Sequence, residues 1–432
     1  MKKLKTAAVI LVSAGICFSQ IVIDTPYTVG TWRGFCPAAV SYTFDDGCAK
    51  QFTVAVPMFN AKGFKLTLFT VVTGGLFPGW SVLQSAAANG HEIASHTMTH
   101  ISLQGATAAT QDYELKNSKD SINKYVPGRQ CITMAYPYCN RGTDSICARY
   151  YIAGRTCSGQ IVPKNPTNFM DISSFLCGPE YGGATTTAAL NTLANNAANQ
   201  NGWCVYLFHG VENDGGYSPI STAALQGNVD YMSANSGRYW VETFGNVARY
   251  IKERNAASVR GVSRTADSIT LRVTDTLNDT IYNYPLTIRR PLPSGWTTPA
   301  VLQGGIPLAA QFKDSNSTRY VTFDAVPDRG NVLILRSGTG VQKLEYGKAA
   351  AGDLNVWFHR TNLMFSVPAS TGEQLDIALY NLKGARTAHF KVNRKSIDVV
   401  CIKVPNAITR HGMSILQVTD GKALWSKQLF PQ

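Results

Sequence analysis

AAVSYTFDDG (residues 38–47) is the stretch on which the fold turns. Seven residues of apolar and β-forming type, bounded by a glycine turn, read as a buried strand. The strand then ends in two adjacent carboxylates, Asp45 and Asp46. Neighbouring like charges at the end of a buried strand repel each other and resist desolvation, so they call for a cation. Working outward, the same kind of run recurs at 65–72 (KLTLFTVV), 91–96 (HEIASH), 131–136 (CITMAY), 150–156 (YYIAGRT), 203–209 (WCVYLFH) and 238–244 (RYWVETF). Helical stretches separate these runs: apolar residues fall at helical spacing in 111–125 and 243–255, and 185–200 is rich in alanine and stops before Gly202. Strand and helix in alternation mean parallel strands joined by crossover helices, hence an α/β sheet or barrel. In such folds chemistry sits at the C-terminal ends of the strands.

The texture changes after Asn255. Short alternating runs with Asn, Asp and Pro-Ser-Gly turns predict an immunoglobulin-like β-sandwich over 256–338. A second, basic β module is expected over 371–432, and 339–370 is a linker or part of either neighbour. A chain of 432 residues fits this multidomain reading.

The N-terminus, MKKLKTAAVILVSAGICFSQ, joins three lysines to a short apolar run and small residues. This predicts a secretory signal peptide over 1–19, and Ile16 before Cys17 argues against a lipid anchor. No later stretch reads as a membrane span. Eight of the ten cysteines lie between 36 and 204, an even set that suggests disulfides in an exported domain; Cys139–Cys147 is the expected pair on closeness alone. Cys401 is left over as a small buried hydrophobe.

The net charge of +13 is uneven. Up to residue 255 there are 19 basic and 15 acidic residues, against 21 and 12 beyond it. A basic C-terminal part favours anionic partners such as a cell envelope, acidic polysaccharide or nucleic acid, or it serves solubility alone.

Four of the seven histidines, His91, His96, His100 and His209, precede residue 255. His96 and His100 are four apart in SHTMTH, about one helical turn, so both rings can face one point. HEIASH is one residue too long for the HExxH zinc motif. In a parallel sheet TFDDG and HTMTH emerge on the same rim. One Asp and two His then leave open positions for water and substrate, as in a hydrolytic metal site. A divalent ion there balances the carboxylate pair. His209, ending another strand on that rim, can protonate a leaving group.

TFDDG, SHTMTH, AYPYC and LFH, in that order over roughly 36–254, resemble the motifs of the polysaccharide deacetylase family, the NodB-homology esterases of carbohydrate esterase family four. The resemblance implies a distorted (β/α) barrel, followed here by one or two β-sandwich modules, and a divalent metal, commonly zinc, with cobalt, manganese or nickel as substitutes. It implies that Asp46, His96 and His100 bind the metal and that Asp45 is the general base. It further implies that Tyr138 offers its backbone N–H to the oxyanion, that His209 is the general acid, and that Leu207 lines the acetyl pocket, with Tyr136 beside the substrate.

One departure stands out. The third motif, usually Arg-x-Pro-Tyr, reads Ala135-Tyr136-Pro137-Tyr138, so the arginine that would pair with the base is missing. Arg155, ending the next strand, can supply the charge from a neighbouring position, and Arg141 is a weaker candidate. Asp171 is a poorly matching candidate for the carboxylate that tunes His209. No GxSxG elbow is present, which disfavours a serine esterase.

The expected function is therefore secreted, metal-dependent removal of acetyl groups from a polysaccharide, with xylan or hemicellulose ahead of chitin-type and peptidoglycan substrates. The basic modules would touch glycan or envelope, and no nucleic-acid partner is expected. A non-catalytic glycan-binding protein with a vestigial metal site is the competing reading.

Overall fold

The computed structural model describes residues 26–128, 130–304 and 306–336, together with seven strands between residues 355 and 429. The expected signal peptide and its Cys17 lie outside the described residues, as does the side chain of Cys401.

After β1 (Thr28–Val29), the strand predicted from AAVSYTF is β2 (Ala38–Asp45), with every residue buried. Then follow α1 (Val56–Ala61), β3 (Thr67–Thr70), α2 (Trp80–Ala88), β4 (Glu92–Ser95), α3 (Ala108–Tyr125), β5 (Thr133–Ala135), α4 (Asp144–Cys147), β6 (Ala153–Arg155) and β7 (Phe175–Leu176). The unit continues with α5 (Thr187–Asn199), β8 (Trp203–Phe208), α6 (Thr222–Ala234), β9 (Tyr239–Val241) and α7 (Phe244–Ala256). Helices α3, α5, α6 and α7 each begin at a Ser or Thr whose side chain accepts a first-turn N–H, which fixes their starts.

The parallel strands run in the order β6-β5-β4-β3-β2-β8-β7, with β9 pairing the first half of β2. This is a curled α/β sheet of distorted-barrel type. Between its two end strands, the segment around Ile172 bonds to Gly154 and Thr156 and leads into β7.

Strand alternation then decides what faces where. Val40, Tyr42 and Phe44 of β2 pack outward under the helices with Phe59, Leu83, Leu115, Leu190 and Leu225. The opposite face carries Ala39, Phe69, Ala94, Ala135, Ala153, Trp203 and Val205, sealed by Phe244, Val247 and Ile251 of α7. Thr43 and Asp45 continue this inner row, as do Arg155 on β6 and Leu207 on β8. The inner row ends in charge while the outer row stays apolar.

Beyond α7 come β10 (Ser258–Arg264), β11 (Ser268–Thr274), β12 (Leu286–Pro291), β13 (Ala300–Gln303), β14 (Ile306–Leu308), β15 (Ala310–Ser315), β16 (Thr318–Ala325) and β17 (Val332–Leu335). They form two antiparallel sheets, β1-β12-β16-β15 and β10-β11-β17-β13-β14, around a shared core that includes Ile269, Leu271, Ile288, Val321, Phe323 and Ile334. β1 was not foreseen: the chain contributes a strand to this sandwich before it enters the barrel. Arg33 reinforces that link, its guanidinium donating to Asp324 at 2.8 Å.

Further on are β18 (Asn355–His359), β19 (Asn362–Ser366), β20 (Gln374–Asn381), β21 (Arg386–Asn393), β22 (Val399–Lys403), β23 (Ser414–Thr419) and β24 (Leu424–Leu429). β18 and β19, inside the stretch read as linker or flank, pair with each other, β19 also pairs with β22, and β20, β21, β23 and β24 form a separate antiparallel sheet.

The expected Cys139–Cys147 disulfide is corrected. Cys139 bonds to Cys157, and Cys147 is a free thiol buried at the end of α4. Sequence closeness failed here because α4 turns Cys147 into the outer core, whereas Cys157 follows β6, the neighbour of β5. Cys36, Cys48, Cys131, Cys177 and Cys204 are also free, so the eight-cysteine framework reduces to one bridge among the described residues. No helix among the described residues is long and apolar enough to cross a membrane.

Candidate active site

The C-terminal ends of β2, β4, β6 and β8 converge on one mouth. β2 delivers Asp45 in strand geometry, and Asp46 then turns into the left-handed region at φ 73°. β4 delivers His96. The two histidines are not joined by a helical turn as their spacing suggested. Residues 96–100 form an irregular loop, with Thr97 and His100 at φ 66° and 63°. Left-handed backbone at non-glycine residues is held only where the surroundings over-determine it, and it concentrates at functional sites. Glu114 on α3 does much of the holding: its carboxylate accepts from the Met98 and Thr99 N–H groups, each at 2.9 Å, and from the Thr99 hydroxyl at 2.7 Å.

His96 Nε2 lies 3.6 Å and His100 Nε2 3.4 Å from Asp46 Oδ1, and the two rings are 4.9 Å apart. These separations are too long for hydrogen bonds. They match two ligand atoms of one tetrahedral zinc-sized ion, which stand about 3.4 Å apart. Asp46 Oδ1 is buried and has no hydrogen-bond partner, and burial, then the charge of Asp45, pushes the Asp46 carboxyl up to about 6. Burial pushes His96 down to about 4, so its imidazole is neutral at physiological pH. Its Nδ1 is 3.0 Å from the Ala135 carbonyl, which makes Nδ1 the donor and leaves Nε2 a free lone pair. An unsatisfied carboxylate oxygen, the free lone pair of His96 Nε2 and the His100 ring gathered at one point fit a divalent cation.

Asp45 is 2% exposed. Burial alone would push its carboxyl up, but Arg155, then His96 and His209, hold it below the ordinary carboxylate range. Arg155 is fully buried and donates through Nη2 to Asp45 Oδ2. Its other anchors are the Ser174 hydroxyl, 3.3 Å from Nη1, and the face of Phe69, 5.3 Å from the guanidinium carbon. Asp45 Oδ1 is buried without a partner and so is open to a proton. Arg141, the weaker candidate, is instead bound to Asp144 and Asp171.

His209 Nε2 is 4.0 Å from Asp45 Oδ2, and its ring stands edge-on to Tyr217, 5.0 Å between centroids. Burial lowers its pKa. Asp171 does not serve it: one oxygen is 2.6 Å from Arg141 and the other accepts from Thr156 at 2.9 Å. His209 Nδ1 is buried with no partner. Tyr138 sits in a short turn (Pro137–Cys139) at φ 58°, its ring 4.8 Å from His100, so the Tyr138 peptide lies on the rim.

Leu207 continues the inner row of β8, 2% exposed and two residues before His209. Tyr136 is corrected. Alternation on β5 turns it outward, away from Ala135, and it is 1% exposed in the helix-side core with its hydroxyl donating to Met170 O at 3.0 Å. Gly154 makes room for it, since a Cβ there would lie 2.8 Å from the tyrosine oxygen. Its role is packing.

Gln51 was missed altogether. Fully buried, its amide donates to the Asp45 carbonyl at 2.5 Å and to the His209 carbonyl at 2.9 Å, tying two strand ends together. A lone glutamine after a turn carries no signal for this. Glu114 carried one, an acid on the buried side of an amphipathic helix beside Leu115.

The chain is 27% identical over 378 residues to a gellan lyase from a Bacillus species, covering 83% of this chain and 15% of that protein. It is 33% identical over 101 residues to a "Probable peptidoglycan-N-acetylglucosamine deacetylase" from Arthroderma benhamiae, covering 23% of each. The chain thus spans under a quarter of the length of either relative. Among solved structures, it is similar to the Xyl-CE4 domain of a multidomain xylanase from the hindgut metagenome of Trinervitermes trinervoides: 18% identity, TM-score 0.36, 50% of this chain and 91% of that one. It is also similar to a family 4 acetyl xylan esterase from Clostridium thermocellum with cobalt: 15% identity, TM-score 0.35, 48% and 89%. At these TM-scores neither likeness speaks to substrate. Residues 34–151, which hold both aspartates, His96, His100 and Tyr138, match the family model named Polysaccharide deacetylase.

Proposed function

We propose that the chain is a metal-dependent deacetylase that hydrolyses acetyl groups on an extracellular polysaccharide, with acetylated xylan as the first substrate and chitin-type or peptidoglycan N-acetyl sugars as the second. The carrying observation is the meeting, in one mouth, of the Asp46–His96–His100 cluster with a separate, arginine-paired carboxylate and a third histidine. A purely structural cluster has no need of that second acid–base set. The signal-like N-terminus supports an exported protein, and the two relatives it resembles in sequence are named for gellan and peptidoglycan.

Asp46, His96 and His100 would hold the ion. When bound, a divalent cation of this kind polarises a carbonyl and makes water acidic near neutral pH. Asp45 takes the proton of the attacking water on Oδ1, while Arg155 keeps it ionised and fixes its orientation. The Tyr138 N–H donates to the oxygen that becomes negative as the carbonyl turns tetrahedral. Leu207 offers an apolar wall to the acetyl methyl. His209 gives a proton to the departing sugar oxygen or nitrogen. Its Nδ1 lacks a carboxylate partner and burial lowers its pKa, so the proton-donating form is less populated, which favours slower turnover or, at the limit, the glycan-binding alternative.

Acetate release from acetylated xylan and from chito-oligosaccharide, with and without chelator, tests the reading. Chelator-sensitive release supports it. Glycan retention without release from any substrate would replace it with the binding protein.

A further inference from the structure

Seven large apolar side chains are exposed among the described residues; Tyr138, Tyr217 and Leu76 stand beside this mouth, and Tyr181 is on the loop tied to that of Tyr217. Tyr138 is 65% exposed beside His100; Tyr217 is 45% exposed against His209; Tyr181 is 92% exposed. Leu76 has its carbonyl packed against Gly47, next to Asp46. Exposed apolar area gathered at one place marks a binding surface.

The tyrosines are held out, not left loose. Tyr181 sits at φ 48° in a tight turn, and Ser218, next to Tyr217, at φ 43°. Ser218 Oγ accepts from the Glu180 N–H at 3.2 Å, tying the two loops together. Asp214 accepts from the Val211 and Gly216 N–H groups at 3.1 and 3.0 Å, and the Gly210 N–H donates to the Tyr217 carbonyl at 3.1 Å, so the loop beside His209 is internally braced. Left-handed backbone at a non-glycine residue is costly. A phenol ring displayed to water on such a backbone gains nothing for the fold. Rigid, exposed tyrosine faces with polar tips suit the alternating C–H faces and hydroxyl edges of a neutral pyranose.

Resting on the deacetylase reading, we propose that Tyr181 and Tyr217 form a sugar subsite on the His209 side of the mouth and the Tyr138 ring its counterpart beside His100, so that the site takes an acetylated residue inside a glycan chain. The substrate class is a neutral oligosaccharide of at least three residues, bound across the metal cluster.

The test compares kcat/KM on acetylated xylohexaose with that on acetylated xylose. In the natural protein the hexamer is the better substrate. Tyr181→Ala and Tyr217→Ala each lower the hexamer-to-monomer ratio about tenfold, through KM, as expected when one ring face of apolar contact is lost. Tyr181→Phe and Tyr217→Phe, which keep the face, restore it. An unchanged ratio in Tyr181→Ala overturns the subsite while leaving the deacetylase intact. If the natural protein releases no acetate at all, the deacetylase reading fails. Calorimetric affinity for xylohexaose then decides the subsite alone: weaker binding by Tyr181→Ala supports it, and equal binding overturns it.

Discussion

Ala135 and Arg155 are register partners across the β5–β6 pair, both on the inner face of the sheet, and the charge that the third motif lacks at Ala135 is carried one strand over by Arg155. The small side chain of Ala135 leaves that face clear, and the guanidinium reaches Asp45 from there. Arg155→Ala should leave a buried carboxylate unpaired, raise its pKa and cut kcat by about 10²-fold or more. Arg155→Lys should recover only part, because one ammonium cannot hold Asp45, Ser174 and the Phe69 face together. Ala135→Arg combined with Arg155→Ala should be more active than Arg155→Ala alone. An Arg155→Ala enzyme with unchanged kcat and pH profile would end this assignment.

Gln51 joins the main chain at Asp45 to the main chain at His209. Gln51→Leu should leave two buried carbonyls unsatisfied, a cost of about 1–3 kcal/mol in stability. It should also lower kcat more than it raises KM, since it moves Asp45 relative to His209. Steady-state kinetics beside a thermal melt separate the two effects. A lowered melting temperature with normal kcat would make Gln51 a structural residue only.

The Cys139–Cys157 bridge lies next to Tyr138 at one end and two residues after Arg155 at the other. It therefore couples the turn that holds Tyr138 to the strand that carries Arg155. Cys139→Ser with Cys157→Ser should cost about 2–4 kcal/mol in stability for a loop of this size. It should also reduce acetate release at temperatures where the protein remains folded. Equal activity of the oxidised and reduced protein would restrict the bridge to stability.

Glu253 on α7 is fully buried, with one oxygen accepting from the Tyr284 N–H at 2.8 Å and the other unpartnered. Burial pushes its carboxyl from 4.5 up to about 8. Between those values the unfolded chain gives up a proton that the folded chain keeps, so stability falls as pH rises and the loss is complete above pH 8. The natural protein should melt several degrees lower at pH 8.5 than at pH 5.5, by about 4 °C or more. Glu253→Gln, which keeps an acceptor for Tyr284, should flatten that dependence. Parallel pH curves for the two proteins would contradict the assignment.

How much of this could be read in advance depended on the range of the interactions involved. Strand and helix periods are local, so β2, β8, α5 and α7 were legible to within a few residues. The Asp45–Asp46 pair and the His96–His100 spacing were legible too, because adjacent charge and paired imidazoles are local anomalies. Long-range partners were not. Nothing near Cys139 distinguishes Cys157 from Cys147; nothing near Thr28 announces a strand that pairs 261 residues later with Arg289. Tyr136 was misplaced because the side of a strand that a motif residue faces depends on register, and Ala135 had already taken the inner position. The positive φ of Asp46, Thr97 and His100 was invisible because none of them is glycine.

The central claim is that one divalent ion is shared by Asp46, His96 and His100 while Asp45 stands beside it as a base. Metal content per chain, measured on the same purified samples used for acetate release, tests it most directly. The account predicts one ion per chain in the natural protein and in Asp45→Asn, with acetate released only by the former, and neither ion nor acetate in His96→Ala. Full metal content in His96→Ala, or undiminished acetate release from Asp45→Asn, would contradict it.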